Sequence, residues 1–180
     1  HYPAEFMSSI LTHNSGNIDQ ITFFMDECKR MGLVVKGPDI NESQVNFSVT
    51  PKGEIRFGLG AIKGIGESAT LEIIAQRNAN GPYTSLFDLT SRANLRTVNK
   101  KSLEALAISG AFDSWGTYNR AQYIEKAPGT LSNGIEMAIK FGSSVQDHKS
   151  SMQNNLFGGA GENNIPEPKI PPVEEWNPIE

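Results

Sequence analysis

The sequence predicts a mainly helical fold carrying one small antiparallel β-hairpin. Three observations lead there: apolar residues recur at helical spacing behind Asn or Ser caps, one stretch alternates with period two, and a paired-glycine break interrupts a helical run. With 180 residues and 38% hydrophobic content, the chain holds one domain of typical size plus extensions.

Pro3 to Leu11 reads as a short helix and Ile18 to Met31 as a longer one. Asn17 followed by Gln20 is a capping-box arrangement, and Gly32 supplies the stop. Ile18, Ile21, Met25 and Cys28 share one face, which makes Cys28 a core residue. Val45, Phe47 and Val49 alternate with polar residues, Pro51-Lys52-Gly53 turns the chain, and Ile55 and Phe57 return it as the hairpin.

Gly60-Ala61-Ile62 then reads as an apolar helix running into a two-glycine turn, and Glu67 to Arg77 as the helix that leaves it. Gly81-Pro82 breaks that helix. Ser85 with Asp88 caps another to about Arg92, and Asn99 starts one ending near Ser109, with Gly110 as its stop. Asn119 with Gln122 begins the next, which Pro128-Gly129 ends. From Leu131, the positions Ile135, Ala138, Ile139, Val145 and Met152 outline a last helix, weakened by Gly142-Ser143-Ser144. Beyond it, Gly158-Gly159-Ala160-Gly161 reads as a flexible spacer, and Ile165 to Pro172 as extended polyproline linker outside the core.

The net charge of -4 excludes a protein that simply coats nucleic acid. Its distribution is uneven: Lys52 to Glu104 holds eight Lys or Arg against five acids, so the rest of the chain is strongly acidic. Any phosphate binding is therefore local. A single cysteine excludes an internal disulfide and suits a reducing compartment. No apolar run approaches the roughly 20 residues of a membrane span. The histidines His1, His13 and His148 are scattered, so no zinc site is expected.

The paired glycines carry the chemistry. In Lys63-Gly64-Ile65-Gly66-Glu67-Ser68-Ala69, glycines let another chain approach closely, and the N–H groups of Gly64, Gly66, Ser68 and Ala69 fall at a helix N-terminus that favours an anion. Lys63 adds a mobile positive charge. An ordinary tight helix turn fits the bare pattern as well, since G-x-G alone is weak.

The run from Ile55 to Arg77 resembles a helix-hairpin-helix motif, and more narrowly the first such motif of the alpha subunits of bacterial DNA polymerase III, the replicative polymerases of the C family. His1 to Met7, Asp26 to Leu33 and Pro38 to Asn41 resemble the end of that family's fingers and the segment after it. Val98 to Leu106 with Ser109 to Asp113 is similar to the second, more degenerate hairpin, which lacks the paired glycines. Gln153-Asn154-Asn155-Leu156-Phe157 resembles the family's sliding-clamp-binding peptide.

The resemblance implies a tandem helix-hairpin-helix domain in an excised piece: fingers over 1–44, the hairpin domain over 45–152, a clamp peptide over 153–157, and a flexible linker over 158–180 toward an oligonucleotide-binding-fold domain that is absent. It implies double-stranded DNA contacts from Lys63, Gly64, Ile65, Gly66, Ser68, Ala69, Arg96, Lys100, Lys101 and Gly110, and clamp contacts from Gln153, Leu156 and Phe157. It further implies a cytoplasmic polymerase with other holoenzyme subunits as partners. The Mg²⁺-binding carboxylates belong to an absent palm domain, so this piece carries no catalytic residue and no cofactor beyond a possible monovalent cation on the carbonyls of Gly60, Ile62 and Ile65. Two other readings stay open: a DNA repair enzyme using the same hairpin, which would need a catalytic Asp and for which Asp88, better explained as a helix cap, is the nearest downstream Asp, and a protein-interaction module whose hairpins are structural.

Overall fold

The computed structural model describes residues 2–154 and 165–176. Its described residues form seven α-helices and a three-stranded sheet. Helices α1 (Pro3–His13) and α2 (Ile18–Arg30) pack against each other. Asn17 caps α2 by accepting the N–H groups of Asp19 and Gln20, and Gly32 leaves the helix in the left-handed region. Ile21 and Cys28 are buried as the periodicity predicts, whereas Ile18, one residue past the cap, is exposed.

The expected hairpin is present as β2 (Ser48–Val49) and β3 (Ile55–Arg56), paired antiparallel with Val49 opposite Ile55. A further strand, β1 (Val35–Lys36), pairs parallel with β3 and places β3 in the centre of the order β1-β3-β2. The sheet thus draws on both sides of the boundary expected at residue 44. Met7, Leu11, Ile21, Cys28, Phe47 and Ile55 form one apolar cluster between the sheet and α1/α2.

The second, larger cluster is built by α3 (Glu67–Asn80), α4 (Leu86–Arg92), α5 (Lys100–Ile108), α6 (Arg120–Ile124) and α7 (Gly134–Asn154). Ser85, Asn99 and Asn119 cap α4, α5 and α6 as the sequence predicts, Asn119 in a full capping box with Gln122. Phe57 touches both clusters and joins the sheet to the helices.

Two expectations are corrected here. Helix α7 runs unbroken through Gly142, where a β-carbon would lie 2.7 Å from Thr90 Cβ, so the glycine lets α4 cross α7 closely. Thr90 Oγ1 donates to the Ala138 carbonyl (2.8 Å), and Gln146 Nε2 to the carbonyls of Thr90 and Ala93 (2.8 and 2.9 Å).

Residues 165–176, expected as flexible linker, form an extended strap on the helical domain. Ile170 is buried in the larger cluster, against a spot where Gly134 leaves no room for a β-carbon. Gln122 Nε2 donates to the Pro171 carbonyl (3.2 Å), Asn119 Nδ2 to that of Val173 (3.1 Å), and Trp176 Nε1 to Glu125. A proline-rich strand loses little conformational entropy on docking, so a few side-chain hydrogen bonds and one buried isoleucine suffice to hold it.

Candidate nucleic-acid interface

The two-glycine turn is reached through a backbone-only contact. The Leu59 N–H donates to the Gln44 carbonyl (2.8 Å) and the Gly60 N–H to that of Val45 (2.9 Å). A β-carbon on Gly58 would lie 2.6 Å from the Val45 oxygen and one on Gly60 2.9 Å from it, so only glycine permits this approach. The expected apolar helix here is a single 3-10 turn, Leu59–Ala61, which ends because Ile62 takes an extended conformation (φ -76°, ψ 119°).

Ile62 and Ile65 are buried and pin the turn, with the Ile65 N–H on the Ile62 carbonyl (3.2 Å). Between and after them Lys63, Gly64, Gly66 and Ser68 are exposed. Gly64 has φ of +100°, a conformation glycine takes readily. Gly66 is the N-cap of α3 without a side-chain cap, and the first bond of the helix runs from the Thr70 N–H to the Gly66 carbonyl (3.1 Å). The N–H groups of Gly64, Gly66, Ser68 and Ala69 therefore find no acceptor among the described residues. Ala69 contributes its backbone N–H alone, since its side chain faces the core, whereas the Ile65 N–H is already spent on Ile62 and its side chain is buried.

Helix α5 completes the site. Gly64 faces Ala105 and Lys101, and a β-carbon on it would lie 3.4 Å from Ala105 Cβ and 4.0 Å from Lys101 Cε. The structure thus gathers Lys63, Gly64, Gly66, Ser68 and Lys101 on one exposed surface. Lys100 is drawn away: its Nζ lies 2.8 Å from a Glu136 oxygen and 3.8 Å from one of Glu104. Hydrogen bonding to Glu136 raises the Lys100 pKa, and bonds from Lys100 and the Asn133 backbone lower that of Glu136. Arg96 is exposed in the turn before α5, and no hydrogen bond or ion pair ties its side chain to the cluster among the described residues.

At the second hairpin the phosphate clasp expected around Gly110 is not formed. Gly110 (φ +84°) ends α5 in a Schellman arrangement, its N–H on the Ala107 carbonyl and that of Ala111 on Leu106. It is buried beneath an Arg120–Asp113 ion pair, whose guanidinium also donates to the Ile108 carbonyl (3.2 Å). Those hydrogen bonds to Asp113 raise the pKa of Arg120 further. Phe112 stacks on Trp115 in the core. Arg120 carries no signal in the sequence, because what it does depends on its contact with Asp113, seven residues away.

Asp88 accepts from the Thr84 N–H (3.0 Å) and Arg92 Nη2 (2.7 Å), so it is committed to capping and pairing. No group of three or more metal-ligating side chains occurs among the described residues. No helix is long and apolar enough to cross a membrane among them. Of the clamp residues, Gln153 lies in the last turn of α7 with its side chain outside the description, and Leu156 and Phe157 lie outside the described residues.

Residues 32–123, half of the chain, match the family described as helix-hairpin-helix motif. The chain belongs to the helix-hairpin-helix family. This helix-hairpin-helix chain is also similar to proteins named DNA polymerase III subunit alpha: 40% identical to that of Haemophilus influenzae and 39% to that of Escherichia coli over 88% of the chain, and 37% to that of Xylella fastidiosa over 98%. It spans 13 to 14% of the length of those relatives.

Proposed function

We propose that this chain is a non-catalytic DNA-backbone-binding and clamp-binding segment of the alpha subunit of a replicative DNA polymerase, working in the cytoplasm with the other holoenzyme subunits. The observation that carries the DNA reading is the turn from Lys63 to Ala69, with four N–H groups that find no acceptor among the described residues and Lys101 beside it. Backbone donors and lysine ammonium groups meet phosphate oxygens and read no base, so binding is independent of sequence. Arg96 extends the basic surface toward the flanking backbone. Polymerisation belongs to the metal-binding carboxylates of the longer protein.

A monovalent cation suits the turn, because the carbonyls of Gly60, Ile62 and Ile65 offer uncharged oxygens and that of Ile62 takes a single bond from within the turn. Gln153, Leu156 and Phe157 form the clamp peptide, glutamine pairing at a pocket rim and the two apolar side chains entering it. Similarity to the alpha subunits supports this part. Fluorescence anisotropy with two duplexes of unrelated sequence tests the DNA reading: equal, salt-sensitive affinities are expected, and a preference of more than tenfold overturns it. Titration of a sliding clamp with the chain and with a Leu156→Ala, Phe157→Ala double variant tests the peptide, and equal affinities remove it.

A further inference from the structure

The guanidinium of Arg77 is buried and has no carboxylate within ion-pair distance among the described residues. Such a charge is costly unless its donors are used. Its Nη1 donates to two carbonyls, those of Ile40 and Ser43, each at 2.9 Å. The segment they belong to ties together the second hairpin, the loop before α4 and the arm that enters the turn. Ile40 donates its N–H to the Ala111 carbonyl of the second hairpin (2.9 Å), and Asn41 exchanges two hydrogen bonds with the Tyr83 backbone. Ser43 Oγ donates to the Phe57 carbonyl (2.7 Å), and the next two carbonyls, of Gln44 and Val45, hold Leu59 and Gly60 just before the phosphate-facing turn.

We infer that Arg77 is a positioning residue for that turn, acting through residues 40–45. The arm that enters the turn is held on the carbonyls of Gln44 and Val45, and the arm that leaves it is α3, which Arg77 fastens to Ile40 and Ser43 of the same segment. The turn is thereby fixed from both sides at one support. Preorganisation of this kind lowers the cost of binding phosphate without adding a contact to it. The inference rests on the turn being the DNA site.

Arg77→Met keeps an unbranched apolar stem and removes the guanidinium with its donors, while Arg77→Lys keeps the charge and a single donor centre. Both are compared with the wild-type chain at a temperature where each is fully folded, by amide hydrogen exchange and by duplex binding. The expected result for Arg77→Met is exchange at Leu59 and Gly60 faster by about tenfold or more, with Leu103 and Ala107 in α5 unchanged, and duplex affinity lower by about 3- to 10-fold. Arg77→Lys is expected in between, and is read alone if the methionine variant does not fold. Wild-type affinity in a folded variant, or exchange that rises uniformly across the domain, overturns the positioning role. If the wild-type chain shows no salt-dependent duplex binding, the phosphate reading fails instead, and the exchange comparison still decides whether Arg77 holds the support.

Discussion

Lys101 reaches over Gly64: a β-carbon on that glycine would lie 4.0 Å from the lysine's Cε, although the two residues belong to different hairpins. The N-terminal turn of α5 is thereby added to the turn that opens α3, and one exposed surface holds two lysines and a set of backbone N–H groups. Lys100, its neighbour in sequence, points to Glu136 and is neutralised within the domain.

The two glycines of the turn separate folding from binding. Gly64 has φ of +100° and Ala105 within van der Waals reach, so Gly64→Ala should cost about 1–2 kcal/mol of stability. Gly66 has an ordinary φ of -81° and its β-carbon would meet only Ser68 Oγ, at 4.0 Å, so Gly66→Val should fold and obstruct phosphate approach. Urea midpoints and duplex affinities measured together check this; a Gly66→Val chain that binds as wild type would move the phosphate site elsewhere.

Lys100→Ala should leave duplex affinity within about twofold, because its ammonium group is already paired; a loss equal to that of Lys101→Ala would contradict this. The pairing has a pH signature. The folded pKa of Glu136 is lowered, so its contribution is present above the ordinary carboxylate value near 4.5 and is lost as pH falls through the lowered one. The Lys100 pKa is raised, so its share is present below 10.5 and is lost as pH rises through the raised value. Glu136→Gln should abolish the acid-side dependence that this pair contributes, measured as urea midpoints from pH 3 to 6.

Ile170→Ala tests the strap. Removing a buried isoleucine side chain to its β-carbon costs about 2–5 kcal/mol where the site cannot relax, but a strap can detach instead, which places the expected loss near about 2 kcal/mol. The Trp176 indole, hydrogen-bonded to Glu125, reports the release through its fluorescence. Unchanged stability and emission would mean that the strap does not hold the domain.

Burial pushes the Cys28 thiol up from its ordinary value. A thiol reagent at pH 8 should therefore modify Cys28 at the rate of unfolding, and faster modification of the folded chain would contradict its core placement.

The helix starts were legible because their chemistry is local: Asn17, Ser85, Asn99 and Asn119 each cap the helix that follows them. The turn itself was legible for the same reason. What the sequence concealed depends on distant partners. Strand β1 is two residues long and exists through pairing with β3. Gly142 reads as a helix weakness until α4 lies across it, and Gly110 reads as a clasp until Arg120 covers it. Residues 165–176 have linker composition, and the groove that receives them is made by Gly134, Asn119 and Gln122. Lys101 and Lys100 are indistinguishable as sequence; their different partners follow from where α3 and α7 fall around α5.

The salt dependence of duplex binding tests the account most directly. A few neutralised phosphates give the wild-type chain a log-log slope of about -2 to -4, each phosphate adding roughly -0.9. Lys63→Ala and Lys101→Ala should each make the slope shallower by about one unit, and the double variant by about two, with the fold intact by circular dichroism. A double variant that keeps the wild-type slope would contradict the claim that these two lysines and the turn between them form the DNA-binding surface.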